Sequence, residues 1–365
     1  MSAANALLSE EYGEVIAEED FDRERLKAYL RDKIPDAHLP MEVRQFRGGH
    51  SNLTYLLRFG EQEWVMRRPP LGPLPPTAHD MSREHRVLSV LWRVYPPAPR
   101  AVLFCDDASI IGAPFYVMER RRGSVIRRRQ PLPPELDSSS ESLRRLSEAF
   151  IDALAQLHNV DYHAIGLGGL GRPQGFVERQ VTGWMARWER AKTREVPLMN
   201  RLGEWFLSHM PAPQTPTLLH NDFFLHNVMF DSHDSGKVNA VLDWEMCTLG
   251  DPMVDLGITL AYWRESTDAP ELLALAEGHP HTTLPGFLRR EELAERYARK
   301  AGRDLSALPY YVALAHWKTA TVVEQIYSRY ARGQTTDPRF AIMGRQPPVL
   351  AQAAAEIVRH LGFRG

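Results

Sequence analysis

Asp222, Asn227 and Asp243 are the residues of this chain whose types and spacing could do chemistry together. The first two lie in TPTLLHNDFFLHNVMFD, residues 215 to 231, where His220, Asp222, His226 and Asn227 interrupt two apolar runs that otherwise read as strand. The run VMF follows Asn227, then the turn DSHDSG, then VNAVLDW, a pattern that reads as a β-hairpin centred near Ser235. In that register position 227 lies opposite position 243, where opposed residues are about 4.5 to 5.5 Å apart between Cα atoms. The amide oxygen of Asn227 and the carboxylate of Asp243 could then close on one ion. A few hard oxygen ligands that leave room for water and phosphate suit Mg²⁺. Asp222, five residues upstream, is placed to act as a base.

Other readings of the same residues stay open. Asp and Asn at loop positions also form turns by bonding their own backbone. His220 and His226 read as structural, one of them holding the loop through a ring N–H. His220, Asp222 and His226 could instead bind a transition metal, but no partner motif for such a site is found elsewhere in the sequence.

The elements that must position these residues follow from pattern. A helix is expected near 20 to 33. Residues 42 to 68 alternate β-like runs with turn signals, EVRQF, LTYLLRF and WVMRR, as in an antiparallel meander. Residues 69 to 77 form a proline-rich loop, a helix follows from about Asp80 to Leu91, and APFYVMER returns to strand. From about residue 138 the texture turns helical: Leu143, Leu146, Phe150, Leu154 and Leu157 recur at helical spacing, with Ser138 and Glu141 as a capping box. Further helices are expected near 176 to 192, 199 to 209, 252 to 264, 291 to 301, 309 to 332 and 347 to 361. The expected fold class is α+β and bilobal, with a small antiparallel-sheet lobe over residues 1–119 and a larger, mainly helical lobe over residues 120–365 carrying the loop described above.

The chain's 365 residues are more than one core usually supports. With 44% hydrophobic and 25% charged residues, it reads as an ordinary globular protein. A formal charge of −2 removes the electrostatic footprint of a nucleic-acid binder, so the expected partner is a small molecule. No apolar run approaches the roughly 18 residues of a membrane span, and the N-terminal residues lack a secretory pattern. Cys105 and Cys247 form neither a disulfide framework nor a zinc quartet; the expected setting is the cytoplasm. No G-x-x-x-x-G-K-[ST] and no G-x-S-x-G occurs, against a P-loop enzyme or a serine hydrolase.

H-N-D-x-x-x-x-N followed by a strand ending in L-D-W-E resembles the catalytic segment of the aminoglycoside phosphotransferase and choline kinase group, the small-molecule branch of the protein-kinase-like fold. Phe224 stands where protein kinases carry lysine, Asp243 is followed by Trp244 and Glu245, and no A-P-E follows; a protein substrate is therefore disfavoured. The resemblance implies ATP as co-substrate with Mg²⁺. Gly48, Gly49, Ser51 and Asn52 would then form the turn over the phosphates, where glycine lets backbone N–H groups approach oxygens. Arg67 would replace the strand lysine of kinases, with Glu84 on the next helix as its partner. Residues 117 to 121, Glu119 among them, would be the linker that holds adenine.

VMRRPPLGPLPPTAHDMSREHRVL with GGHSNLTYLL is closer still to the kinase-like domains associated with acyl-CoA dehydrogenases, which implies a hydroxyacyl-CoA acceptor. Arg120, Arg121, Arg122, Arg127, Arg128 and Arg129 form a basic cluster, either solvated or recruiting an anionic acceptor. They argue against a polycationic aminoglycoside. A non-catalytic nucleotide-binding pseudokinase and a kinase of aminoglycosides or other small-molecule antibiotics are the remaining alternatives.

Overall fold

The computed structural model describes residues 11–47, 52–72, 80–128, 130–275 and 280–364. Gly48, Gly49, Ser51 and Arg129 lie outside the described residues. The chain divides into two compact units: residues 1–122 with 240–245, and residues 123–239 with 246–365. The segment Ala240–Glu245, expected in the second lobe, thus groups with the first unit.

The first unit is built on a six-stranded sheet in the order β1-β2-β3-β4-β6-β5. Its strands are β1 (Tyr12–Gly13), β2 (Met41–Phe46), β3 (Leu53–Phe59), β4 (Gln62–Arg68), β5 (Ala101–Cys105) and β6 (Phe115–Glu119). Every neighbouring pair is antiparallel. Two helices accompany it, α1 (Arg23–Leu30) and α2 (Met81–Leu91). Asp80 caps α2 by accepting the N–H groups of Ser82 and Arg83 at 3.0 and 3.2 Å. One face of the sheet packs Tyr55, Leu57, Phe59, Met66, Phe115 and Val117 against Leu26 and Leu30 of α1, as period-two alternation requires.

Helix packing dominates the second unit. It contains α3 (Ser140–His158), α4 (Phe176–Ala191), α5 (Pro197–Ser208), α6 (Pro252–Tyr262), α7 (Pro270–Leu273), α8 (Arg290–Ala301), α9 (Leu308–Ala331) and α10 (Gln346–Arg359). Seven of these lie within two residues of their expected bounds; the four-residue α7 had no periodicity long enough to announce it. Ser139, not Ser138, caps α3: its hydroxyl accepts the N–H of Ser142, while Ser139 itself is held by Asp137. Two small ribbons complete the fold: a three-stranded sheet in the order β10 (Val238–Val241), β9 (Val228–Phe230), β7 (Ser124–Val125), and β8 (Thr217–Leu219) paired antiparallel with β11 (Thr248–Gly250).

The expected opposition of residues 227 and 243 as a ladder pair is corrected by the backbone. Asp231 N–H donates to the Lys237 carbonyl at 3.0 Å, centring the hairpin on Asp234 rather than Ser235. Asn227 ends a 3-10 turn, Leu225–Asn227, and Asp243 follows the end of β10 with φ of +67°. A left-handed residue leaves the extended path, so strand alternation cannot be carried as far as position 243.

Candidate functional site

In the first unit β4 delivers Arg67 and α2 delivers Glu84. Arg67 is 9% exposed and Glu84 fully buried, and the two form an ion pair through Nη1 and Oε1. Arg67 Nη2 also donates to Asp243 Oδ1 at 3.2 Å, and the backbone N–H of Trp244 donates to Glu84 Oε1 at 3.2 Å. The expected pairing of Arg67 with Glu84 is therefore present, and it extends to Asp243. Burial pushes the Glu84 carboxyl up to about 7; Arg67 opposes that shift, while Asp243 and Glu245 reinforce it. Its second oxygen, Oε2, has no hydrogen-bond partner among the described residues.

Arg68, one residue on, faces the other side of the strand. It donates to Tyr55 Oη, to the Ile111 carbonyl and to the Glu19 carbonyl, which makes it a tie between the sheet and its flanking segments. Asn52 lies at the start of β3, and its amide donates to Glu245 Oε2 at 3.0 Å. The acid after Trp244 thus has a defined contact that sequence spacing did not announce. Glu119 closes β6 opposite Trp64. Its carboxylate accepts the Arg100 N–H at 2.9 Å and pairs with Arg121, and its own N–H donates to the Arg100 carbonyl.

The second unit holds the loop with Asp222 and Asn227. Asp255, on α6, accepts the backbone N–H groups of His220 and Asn221 at 2.6 and 2.7 Å. His158 Nε2 lies 3.2 Å from the same carboxylate, and its Nδ1 meets Tyr297 Oη at 2.6 Å. Asp255 and His158 are buried. A buried carboxylate with two backbone donors fixes the entry to the loop with charge-assisted bonds. Asn221 has φ of +67°, a conformation asparagine tolerates better than most residues, and its amide donates to the Met246 carbonyl at 2.8 Å. The His220 ring accepts the Asp222 N–H at 3.2 Å, so this histidine meets loop backbone as an acceptor and not through the ring N–H that was expected. The Phe223 carbonyl accepts the Thr259 hydroxyl at 2.9 Å.

Asn227 donates its amide N–H to the Asp222 carbonyl at 2.9 Å. That bond fixes the amide orientation and leaves its oxygen to act as an acceptor. In the first unit the Asp243 side chain is 29% exposed and pairs with Arg67 through Oδ1; an amide oxygen and a carboxylate are each hard donors of the kind Mg²⁺ takes. Among the described residues no three His, Cys, Asp or Glu side chains converge as metal ligands.

His226 stacks on Phe224 with ring centroids 5.2 Å apart, and the Arg128 guanidinium lies 5.7 and 5.0 Å from the Phe224 and Tyr262 ring centroids. Burial, then Arg128 and Arg127, push His226 down to about 3, so it is neutral at ordinary pH. These groups border a pocket of about 310 Å³ lined by Tyr262, Val323, Ile326 and Leu350 together with Arg128 and Arg264. The arginine cluster does not act as one patch. Arg120 pairs with Glu11, Arg121 with Glu119 and Arg122 with Glu63, while Arg128 joins the pocket.

Asp255 was missed in the sequence. The available signal was an acid in an otherwise apolar helix, PMVDLGITLAY, which must find donors when buried.

The site can be compared with known proteins. Rat acyl-CoA dehydrogenase family member 11 (Rattus norvegicus) is 32% identical over 354 residues, 95% of this chain but 44% of its own length, so this chain spans less than half of that relative. The crystal structure of a candidate aminoglycoside phosphotransferase from Ralstonia eutropha is 28% identical, with a TM-score of 0.80 over 93% of this chain and 99% of that one. A thermostable mutant of aminoglycoside phosphotransferase APH(4)-Ia, in ternary complex with AMP-PNP and hygromycin B, shares the fold at 15% identity and a TM-score of 0.55, over 91% of this chain and 97% of that one. Residues 42–293 match the model described as the phosphotransferase enzyme family. On that match, the chain belongs to the phosphotransferase enzyme family.

Proposed function

We propose that the chain transfers the γ-phosphoryl group of ATP, with Mg²⁺, to the hydroxyl of a small anionic molecule, and that hydroxyacyl thioesters of coenzyme A are the acceptor class. The observation that carries this reading is the loop anchored by Asp255, in which the Asp222 carbonyl fixes the amide of Asn227. In this reading the Asp222 carboxylate serves as base and the Asn227 amide oxygen as metal ligand, on one hydrogen-bonded turn.

In this reading Asp222 accepts the hydroxyl proton as the acceptor oxygen bonds to the γ-phosphorus, and the bond to the β-phosphate oxygen breaks to release ADP. Asn227 and Asp243 would hold Mg²⁺, which supplies charge neutralisation on the phosphate oxygens when bound. Arg67 stays protonated throughout, since arginine does not titrate in this range. It orients Asp243 through their ion pair and steadies phosphate charge, with the turn containing Asn52 beside it. Phosphoryl transfer depends mainly on positioning and electrostatics, and these residues supply both. The complex of APH(4)-Ia with AMP-PNP is in keeping with a nucleotide site in this fold.

Two features favour an anionic, partly apolar acceptor. The pocket of the second unit combines aliphatic and aromatic walls with the guanidinium groups of Arg128 and Arg264, whereas a polycation would call for carboxylates. The relative named for an acyl-CoA dehydrogenase family points to the same chemistry. The test is ADP release from Mg·ATP across a panel of hydroxyacyl-CoA thioesters, aminoglycosides and choline. Turnover confined to the thioesters supports the assignment; turnover with aminoglycosides alone overturns it.

A nucleotide-binding protein without catalysis is the second reading. It is favoured by one observation: the Arg67 guanidinium is already engaged by Glu84 and Asp243. Nucleotide binding with no ADP release on any acceptor would establish it.

A further inference from the structure

Helices α4 and α9 pack against one another, and where they meet they bring two cations to one indole. Trp184 of α4 is half-buried, and its Nε1–H donates to Gln180 Oε1, one turn earlier, at 3.1 Å, which fixes the ring. The Arg187 guanidinium stands 4.5 Å from the centroid of that ring, and Nζ of Lys318 on α9 stands 5.5 Å from it. Arg187 leans back toward Gly183, where a Cβ would stand 3.3 Å from its Nη1, so the missing side chain leaves the guanidinium its seat. Neither cation forms a hydrogen bond or ion pair among the described residues.

Two unpaired positive charges at one half-buried ring are costly, because burial disfavours charge and like charges repel. Elsewhere in this unit the chain answers such cations with acids: Lys192 meets Glu189 and Glu195, Arg290 meets Glu265 and Asp268, and Arg296 meets Glu148 and Asp152. The carboxylates that act on Lys318, those of Asp222 and Asp255, do so through space and without an ion pair. An aromatic face holds a cation less firmly than a charge-assisted hydrogen bond does. The donors of Arg187 and Lys318 therefore stay available to an anion.

The same helix leads from this pair to the pocket of the second unit. Lys318, Val322 and Ile326 lie at i, i+4 and i+8 of α9 and hence along one stripe, and the last two line the pocket. Lys318 and Ile326 are about 12 Å apart along the helix axis. At about 310 Å³ the cavity holds on the order of ten water volumes, room for an acyl group but not for a nucleotide-bearing carrier as well. We propose that Trp184, Arg187 and Lys318 form a phosphate subsite for the carrier portion of the acceptor: the acyl part enters the pocket along α9, and a phosphate of coenzyme A is held by the ammonium and the guanidinium beside the indole. The inference rests on the reading of the acceptor as a hydroxyacyl-CoA thioester. Such a molecule is apolar at one end and anionic at the other, and the stripe on α9 changes from apolar to cationic in the same sense.

Calorimetry tests the subsite without turnover, on protein loaded with Mg·AMP-PNP so that the nucleotide site is filled. CoA should bind the wild type. Its Kd should rise on the order of tenfold in Lys318→Met, and further in Lys318→Met/Arg187→Gln, as one and then a second charge-assisted hydrogen bond is lost. Lys318→Arg keeps the charge and should bind CoA nearly as the wild type does, which separates a lost contact from a disturbed fold. Pantetheine, which carries no phosphate, should bind all four proteins alike. CoA affinity unchanged in the double variant, or reduced no more than pantetheine affinity, would overturn the proposal.

In steady-state kinetics with the hydroxyacyl-CoA panel, Lys318→Met should raise KM and leave kcat nearly unchanged, the mark of binding lost equally in the ground and transition states. A fall in kcat with KM unmoved would also overturn it. Inorganic phosphate, titrated into the same loaded proteins, separates this inference from the reading on which it rests. Phosphate binding that the double variant abolishes, in a wild type that binds no CoA, would retain the phosphate subsite and remove the thioesters as acceptors. Thioester turnover with wild-type KM in the double variant would retain the thioesters and remove the subsite.

Discussion

Arg67 Nη2 donates to Asp243 Oδ1 across 3.2 Å while the same guanidinium holds the buried carboxylate of Glu84. One strand residue therefore joins α2 to the segment after β10, within the first unit. The planar guanidinium fork serves two carboxylates at once, which a lysine ammonium at this position would not do with the same geometry. The arrangement also makes Glu84 sensitive to pH. Its carboxyl titrates near 7 in the folded protein against an ordinary value of 4.5, so folding takes up a proton between these values. The stability this contributes is complete below pH 4.5 and is lost as pH rises through about 7. Urea denaturation should show wild-type stability falling across that window by on the order of 3 kcal/mol more than Glu84→Gln, whose amide does not titrate. Parallel pH profiles would show that Glu84 is ionised throughout.

Asp243→Ala removes a proposed metal-ligating oxygen and one of two partners of Arg67. Calorimetry with AMP-PNP should show binding that depends on magnesium in the wild type. In the variant that dependence should disappear, with affinity reduced at least tenfold. Magnesium-dependent binding of undiminished strength in Asp243→Ala would remove this residue from the metal site.

Asp255 anchors the loop that holds Asp222 and Asn227 through two backbone N–H groups. Asp255→Ala leaves both donors buried without an acceptor and His158 without its carboxylate, a loss of about 3 to 5 kcal/mol by analogy with broken buried charge networks. Asp255→Asn keeps one acceptor oxygen and should fall between. Chemical denaturation gives the stability order, and hydrogen exchange at residues 220 and 221 should rise in both variants. Unchanged exchange there would mean that the loop is held by other contacts.

The chemistry-bearing positions were legible in the sequence to very different degrees. Asp222 and Asn227 stood out because both lie in one short turn, where residue type and spacing survive folding intact. Arg67 and Glu84 were legible through periodicity, since strand and helix each assign a face. Asp243 was singled out for a geometric reason that fails: β10 ends at Val241, and the left-handed Asp243 lies off the ladder. Asp255 was invisible to motif reasoning, being a single charge in an apolar helix whose partners come from distant sequence. Strand β5, AVLFC, went unrecognised because a short apolar run after a proline-rich segment has no periodicity of its own.

The central claim is that this chain moves a phosphoryl group to a hydroxyl through Asp222. The direct measurement follows transfer of ³²P from [γ-³²P]ATP, with magnesium, to hydroxyacyl-CoA thioesters by wild-type protein and by Asp222→Ala. The account predicts a labelled, alcohol-linked phosphate product from the wild type and a rate lower by about 10² to 10⁴ in the variant, with AMP-PNP affinity preserved. Equal rates in the two proteins, or nucleotide binding with no labelled product from any hydroxyl acceptor, would contradict it.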